Sequence, residues 1–315
     1  MSQAKGYRGR VVLDYETSFG VAPVTPNGIS VPFNSMEVVG KQNLIDPATI
    51  TGTRNPVAPG KGNLSVDGSI VIPFDNLAIG YWLKGIMGNP TTTGAAAPYT
   101  HVFKVGDSQP SMVLEKGFQD IAKFMLYKGC KVGSFKVTFG GDGELTASMD
   151  VMGARETIGA TQYDDTPTDA GFNRLNNFQV SIEEGGTAIA TVTSMEFTVN
   201  AGLDGNQYTI GSQGTRGDIP EGIVSVTGNL KALFNDTALL DKGVNNTESQ
   251  LKIVVAQDAD NSVTFEFPEV IYERNSPGIS GPGGVLIDLN WRAYWNNDAG
   301  NSASIITVKN SKATY

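Results

Sequence analysis

Residues 62–78, GNLSVDGSIVIPFDNLA, reappear in altered form at residues 222–238, GIVSVTGNLKALFNDTA. Gly62, Ser65, Val66, Gly68, Phe74 and Ala78 recur as Gly222, Ser225, Val226, Gly228, Phe234 and Ala238, at a constant offset of 160. Within the first copy Leu64, Val66, Ile70 and Ile72 share one face with Gly68 at the remaining position, a period of two that predicts a strand. The second copy places Val224, Val226, Gly228 and Leu230 in the same way.

The repeat extends toward the N-terminus of each copy. SMEVVGKQNLIDPATITG from Ser35 aligns with SMEFTVNAGLDGNQYTIGS from Ser194, first at an offset of 159 and then, after one inserted residue, at 160. A colinear series of matches at one period is the signature of an internal repeat. The chain therefore reads as a duplication: residues 1–160, a polar linker at 161–171 and a second copy at 172–315.

Downstream of each repeated strand an Asx residue, Asp75 or Asn235, precedes a short helical pattern. The side chain is suited to accept the unpaired first-turn N–H groups, and Gly85, Gly88 and Gly243 are candidates to end the helices. Phe135, Val137 and Phe139 alternate with polar residues, GGDG supplies a turn, and Leu145, Ala147, Met149 and Val151 alternate again, a β-hairpin pattern. The second copy shows Val263, Phe265 and Phe267, a long loop ERNSPGISGPGG, and then Val285, Ile287, Leu289 and Trp291. The expected fold class is all-β dominated with minor α: two duplicated β-sandwich or half-barrel domains, each with one flanking short helix. Thr91–Pro98, TTTGAAAP, reads as a mobile loop.

Composition bounds the function. The 315 residues are 40% hydrophobic and 17% charged, which describes a folded chain. The 38 glycines follow no collagen-like period and imply many tight turns. A formal charge of −9 argues against a protein that grips nucleic acid through a basic surface. The N-terminus lacks the apolar stretch of a signal peptide and no run suits a membrane span, so the expectation is synthesis in a cytoplasm without membrane insertion.

Chemistry is sparse. Cys130 is the single cysteine and His101 the single histidine, so neither an intrachain disulfide nor a two-histidine site is available. His101 reads as a structural histidine and Cys130 as a small buried residue. The Asp258–Ser262 run has alternating carboxylates but lacks the Gly and distal Glu of a calcium loop. Asp164–Asp165 and Glu183–Glu184 are adjacent, as in solvated turns, rather than opposed. No phosphate-cradling or dinucleotide fingerprint occurs. The expectation is a non-enzymatic protein without cofactor or metal. A cluster of Trp291, Tyr294 and Trp295 leaves open an adhesive or carbohydrate-binding sandwich.

The stretch Leu114–Gly153, with Gly117–Phe118, Tyr127 before Gly129-Cys130-Lys131-Val132, and the hairpin ending at Met152–Gly153, resembles the major tail tube proteins of long-tailed, siphovirus-like bacteriophages. So do YETSFGVAPV at Tyr15, Pro32–Phe33, and ITGTR at Ile50 leading into GNLSVDGSI. The resemblance implies a virion structural protein, assembled in the host cytoplasm, whose strands join those of neighbouring subunits in stacked rings. It implies a hollow conduit for double-stranded DNA ejection, acidic-lined, with tape measure, tail-tip and tail terminator proteins as partners. Two tube-like domains per chain suit a trimeric ring of pseudo-sixfold symmetry; the alternative is a hexameric ring decorated by the second copy. The polar strand faces then supply lumen candidates Glu37, Glu144, Thr146, Ser148, Asp150, Glu196, Asp288 and Asn290. Thr91, Thr92, Thr93 and Gly94 are candidates for contacts between rings.

Overall fold

The computed structural model describes residues 3–297 and 301–315. Up to the repeat boundary the strands are β1 (Gly9–Tyr15), β2 (Ile29–Ser30), β3 (Ser35–Met36), β4 (Val39–Ile45), β5 (Gly60–Pro73), β6 (Thr91–Thr93), β7 (Tyr99–Lys104), β8 (Met112–Phe118), β9 (Lys123–Phe139), β10 (Thr146–Gly153) and β11 (Arg155–Gly159). After it come β12 (Thr168–Asp169), β13 (Val180–Glu184), β14 (Thr187–Ala188), β15 (Val192–Asn200), β16 (Ser225–Leu233), β17 (Ser249–Ala256), β18 (Ser262–Tyr272), β19 (Leu286–Ala293) and β20 (Ile305–Asn310). Helix α1 spans Ile79–Met87 and α2 spans Ala238–Asn245. The chain is all-β dominated, as its alternating pattern predicts.

One antiparallel sheet runs in the order β4, β5, β10, β9, β15, β16, β19. A second layer is ordered β14, β13, β17, β18, β20, β7, β6. The N-terminal half of β9 leaves the first sheet to pair with β8 and β11, and β8 pairs in turn with β1. Both layers cross the repeat boundary: β9 pairs with β15, and the C-terminal β20 pairs with β7. Phe135, Phe139, Phe197, Phe265 and Phe267 pack between the layers, with the Phe197 and Phe265 rings 4.8 Å apart.

The repeated segments share a strand register. Ser35 faces Val71 and Met36 faces Ile70; Ser194 faces Lys231 and Met195 faces Leu230, the same pairs displaced by the repeat. Val132 faces Val151 in β9·β10 as Tyr272 faces Trp291 in β18·β19. That correspondence corrects one expectation. Val263, Phe265 and Phe267 do not form a hairpin with the strand at Val285–Trp291, because that part of β18 pairs with β17 and β20. By register the counterpart of Phe135–Phe139 is the loop segment 275–279.

Three further local expectations change. Thr91–Thr93 form an edge strand against β7, held by the Thr92 hydroxyl 2.8 Å from His101 Nδ1. Asp75 does accept the Leu77 and Ala78 amides ahead of α1, but at α2 it is Asp236, not Asn235, that accepts the Ala238 amide. Gly85 and Gly243 lie inside their helices; Gly88 ends α1 and the left-handed Asn246 ends α2. Helix α1 is apolar except at Lys84 and correspondingly buried, with Tyr315 laid against Gly80. The segment 161–171 lies along the first half: Arg10 donates to Gln162 Oε1 at 2.7 Å, the Tyr163 hydroxyl donates to Asp14 at 2.8 Å, and β12 pairs with β2.

Candidate functional site

Alternation along the seven-stranded sheet sends one set of side chains into the core and leaves the other on an open polar face. Val66, Ile70, Ile72, Ala147, Met149, Val151, Phe197, Val199, Leu230 and Leu289 point inward and are buried. The opposite face carries continuous rows across the repeat boundary. Ser69, Asp150, Ser134, Asn200 and Ser225 form one row. Ser148, Lys136, Thr198, Thr227 and Arg292 form the next.

Thr146, Ser148, Asp150, Glu196, Asp288 and Asn290 all stand on this face. Glu196 faces Asn229 and through it Asn290, while Asp288 faces Lys231. Glu37 holds the position equivalent to Glu196: its amide donates to the Ser69 carbonyl between β3 and β4. Glu144 lies before β10, where it pairs with Arg174 at 2.9 Å and accepts from Asn34 at 2.9 Å.

Cations accompany the carboxylates. Lys136 Nζ is 2.9 Å from Glu196, Lys231 Nζ 3.3 Å from Asp288, and Arg292 3.2 Å from Glu273. The Ser134 hydroxyl donates to Asp150 at 2.7 Å and the Asn229 amide donates to Asn290 at 2.9 Å. These exposed pairs contribute little stability but cancel much of the local field. The face is polar and close to charge-balanced, not the uniformly acidic surface that the negative total charge suggests.

Sequence reasoning singled out the carboxylates and passed over Lys136, Lys231 and Arg292, although each sits at a polar position of an alternating strand. It also passed over Arg216. In the long connection between β15 and β16, Arg216 Nη1 donates to the Gly153 carbonyl at 2.8 Å and the Val66 carbonyl at 3.2 Å. It also pairs with Asp67 at 2.7 Å. The legible signal was a second repeat, Gly52-Thr53-Arg54 against Gly214-Thr215-Arg216.

The reactive residue types have structural surroundings. Cys130 is buried, and burial pushes its thiol well above the ordinary value, leaving it unreactive. His101 is buried between the Thr92 hydroxyl and the Lys312 carbonyl, 3.0 Å from Nε2, with Tyr315 edge-on to its ring. Burial lowers its pKa. Asp258 accepts the Asp260 and Asn261 amides at 2.8 Å, a turn as expected. Glu184 is not a solvated turn residue: it is buried and bound by Lys242 at 2.7 Å, fastening α2 to the sheet. Trp291 is in the core, so only Tyr294 and Trp295 of the aromatic cluster are exposed. Among the described residues no group of three or more His, Cys, Asp or Glu is arranged to hold a metal ion, and no helix is long and apolar enough to cross a membrane.

A search of curated proteins returned no match. The family model described as phage tail tube protein matches residues 6–293, spanning both repeats and nearly the whole polar face. That match, over most of the chain, places it in the phage tail tube protein family, as a structural component of the virion tail.

Proposed function

We propose that the chain assembles with copies of itself into stacked rings forming a hollow tail tube, three copies to a ring, with the polar face of the seven-stranded sheet lining the lumen. Residues 1–160 and 172–315 act as two pseudo-equivalent units. The β9·β15 junction carries this reading, because it joins one unit to the next inside a single chain. Its counterparts remain at the outer edges: β4 has the register of β15, yet only β5 pairs with it among the described residues. The segment after β18 has the register of the C-terminal half of β9, yet is irregular.

Addition of one outer edge to the other is a head-to-tail contact, which closes into a ring when the rotation permits. It also removes exposed strand edges that would otherwise aggregate. By the intrachain register Arg274 of one copy would face Lys41 of the next, and Ile279 would face Met36. Ile279 is now exposed. Pro277 stands where Val137 does in β9, so one ladder donor is missing there.

Ring stacking would use exposed edges, among them Thr91, Thr92, Thr93 and the turn at Gly94. The lumen would carry double-stranded DNA without base reading. Its paired charges present neither the cationic surface that would bind phosphates nor a strong repulsive field. This role needs no catalytic group or cofactor. Tape measure, tail-tip and tail terminator proteins are the partners such a tube would meet.

Electron microscopy of the purified protein across a concentration series, with averaging along any filament, tests the reading. Hollow tubes with three chains per ring are expected. Six chains per ring would keep the tube and make the second unit a decoration; particles that never polymerise, even with tail-tip components, would reject it.

A further inference from the structure

The loops joining β4 to β5 and β15 to β16 occupy equivalent places in the two repeats, but among the described residues only the second is hydrogen-bonded to another element. The Gly214 carbonyl accepts the Leu64 amide at 2.8 Å, and Arg216 spans the Val66 and Gly153 carbonyls and Asp67. Lys131 of β9 donates to the Ile219 carbonyl at 2.9 Å and pairs with Glu221 at 2.8 Å. The second unit thus reaches back with its loop and clasps the first at the end of the β5·β10 ladder.

The first loop, residues 46–59, contains the same Gly-Thr-Arg. Gly52 and Gly214 share a left-handed conformation, φ +75° and +76°. Around Gly52 nothing lies within 4 Å of where a Cβ would be, Ile50 is 95% exposed, and Arg54 forms no ion pair among the described residues.

The surface such a loop would clasp is also present. The repeat maps Leu64, Val66 and Gly153 onto Val224, Val226 and Ala293, and Val226 faces Ala293 as Val66 faces Gly153. Beside them is a cleft of about 460 Å³ whose walls include Val224, Ala293, Tyr294 and Asp107. The Val224 amide, counterpart of the Leu64 amide, has no backbone partner among the described residues.

From this we infer that the loop 46–59 of one copy clasps the second unit of the neighbouring copy, as the loop 201–224 clasps the first unit within a chain. The Gly52 carbonyl accepts the Val224 amide and Arg54 reaches the carbonyls of Val226 and Ala293, with Asp107 supplying a carboxylate in place of Asp67. The occupant is a second copy because its template is this chain's own sequence on this chain's own fold. The same neighbour that offers its 273–279 edge to β4 lies beside the loop that follows β4. The inference rests on the ring reading above and adds its lateral clasp.

The test is a matched pair of cysteine variants. A Cβ at Gly214 would lie 3.6 Å from Asn63 Cα, close enough for a disulfide. Gly214→Cys with Asn63→Cys is therefore the intrachain control, carrying the same backbone strain as the test pair, Gly52→Cys with Ile223→Cys. In oxidised tubes the control is expected to close within a chain, and the test pair to give two-chain and three-chain bands that disappear on reduction. Tubes in which the control closes but the test pair yields no interchain bands would overturn the clasp while leaving the tube intact, including the case where another tail component holds the loop. Wild-type protein that forms no tubes at all would instead refute the ring reading. Arg54→Glu supplies a second measurement: loss of tubes with an unchanged thermal midpoint of the unassembled chain is expected, and normal tubes would count against the clasp.

Discussion

Gly68 and Gly228 meet the same atom of the same partner in the two repeats. A Cβ added to Gly68 would lie 2.2 Å from the Glu37 carbonyl oxygen, and one added to Gly228 2.4 Å from the Glu196 carbonyl oxygen. Neither glycine has a positive φ, so the demand is for space and not for backbone freedom. Gly228 is pressed further by the Trp291 ring at 2.3 Å. Backbone cannot rotate aside as a side chain does. Gly68→Ala and Gly228→Ala should each destabilise the chain by about 1–3 kcal/mol, the usual cost of overpacking. Thermal unfolding of the two variants measures this, and a midpoint unchanged in both would show that the strands have room to separate.

Phe265 ties the two repeats into one core. Its ring lies 4.8 Å from Phe197, 6.0 Å from Phe74, 6.0 Å from Phe139 and 6.4 Å from Phe135. The repeats therefore share the apolar surface each would need to stand alone. Phe265→Ala should cost about 3–5 kcal/mol, and denaturant unfolding should remain a single transition by circular dichroism and tryptophan fluorescence alike. Two separated transitions would mean that the halves are energetically independent despite β9·β15 and β20·β7.

How far the fold was legible depends on how local each feature is. The β9·β10 hairpin was legible because Phe135–Phe139 and Leu145–Val151 alternate on either side of GGDG, and the structure pairs Met149 with Phe135 accordingly. Thr91–Thr93 was not, because three threonines beside Gly-Ala-Ala-Ala carry no alternation; β7 makes them a strand. Pairing of β9 with β15 was hidden for a related reason: an all-apolar inner face and a polar outer face say which side of a strand is buried, not which strand lies beside it. On the polar face, Asp150 and Glu196 could be placed from parity alone. Their neutralisation could not, since Lys136 and Glu196 become neighbours only through that long-range pairing.

His101 makes stability depend on pH. Both ring nitrogens are engaged in the neutral form, and burial lowers its folded pKa below the ordinary value near 6.5. The unfolded chain then binds a proton more readily than the folded one, so this contribution is complete above pH ~6.5 and is lost as the pH falls. Asp75 has the opposite sign: burial raises it to about 6, and its contribution is lost as the pH rises through that value. Comparing wild type with His101→Gln cancels Asp75, which both retain. The midpoint difference between the two proteins should shrink from pH 7.5 to pH 5; a constant difference would place His101 outside the linkage.

Arg216 holds the loop 201–224 to the first unit through a nearly buried guanidinium, whereas its partner Asp67 is 42% exposed. Screening at the Asp67 end limits the value of the ion pair, so the carbonyl contacts to Val66 and Gly153 carry most of the effect. Arg216→Met keeps an apolar stem and removes the donors. It should lower stability by about 1–3 kcal/mol and open the segment 205–217 to protease. Unaltered protection of that segment would show that Lys131 and the Gly214–Leu64 contact hold the loop without Arg216.

Charge on the polar face is the property that separates a conduit from a mere surface of the tube. Asp150 stands mid-row beside Ser134, and Glu144 at the end of the same strand face pairs with Arg174. Replacing both by lysine adds two cations and removes two anions per chain without touching the core between the layers. Tubes of normal diameter should still assemble, because neither residue supplies a backbone group to the β4 or 273–279 edges and the Glu144 carboxylate bonds Arg174 and the Asn34 side chain ahead of β3. If this face lines the lumen, DNA in transit would meet a ring of cations at every layer, and phosphate binding should slow ejection, most strongly at low salt where such contacts are tightest. The measurement is infectivity and ejection rate of virions carrying Glu144→Lys with Asp150→Lys, against salt concentration. Intact tubes that eject at the wild-type rate at every salt concentration would put these two residues outside the lumen.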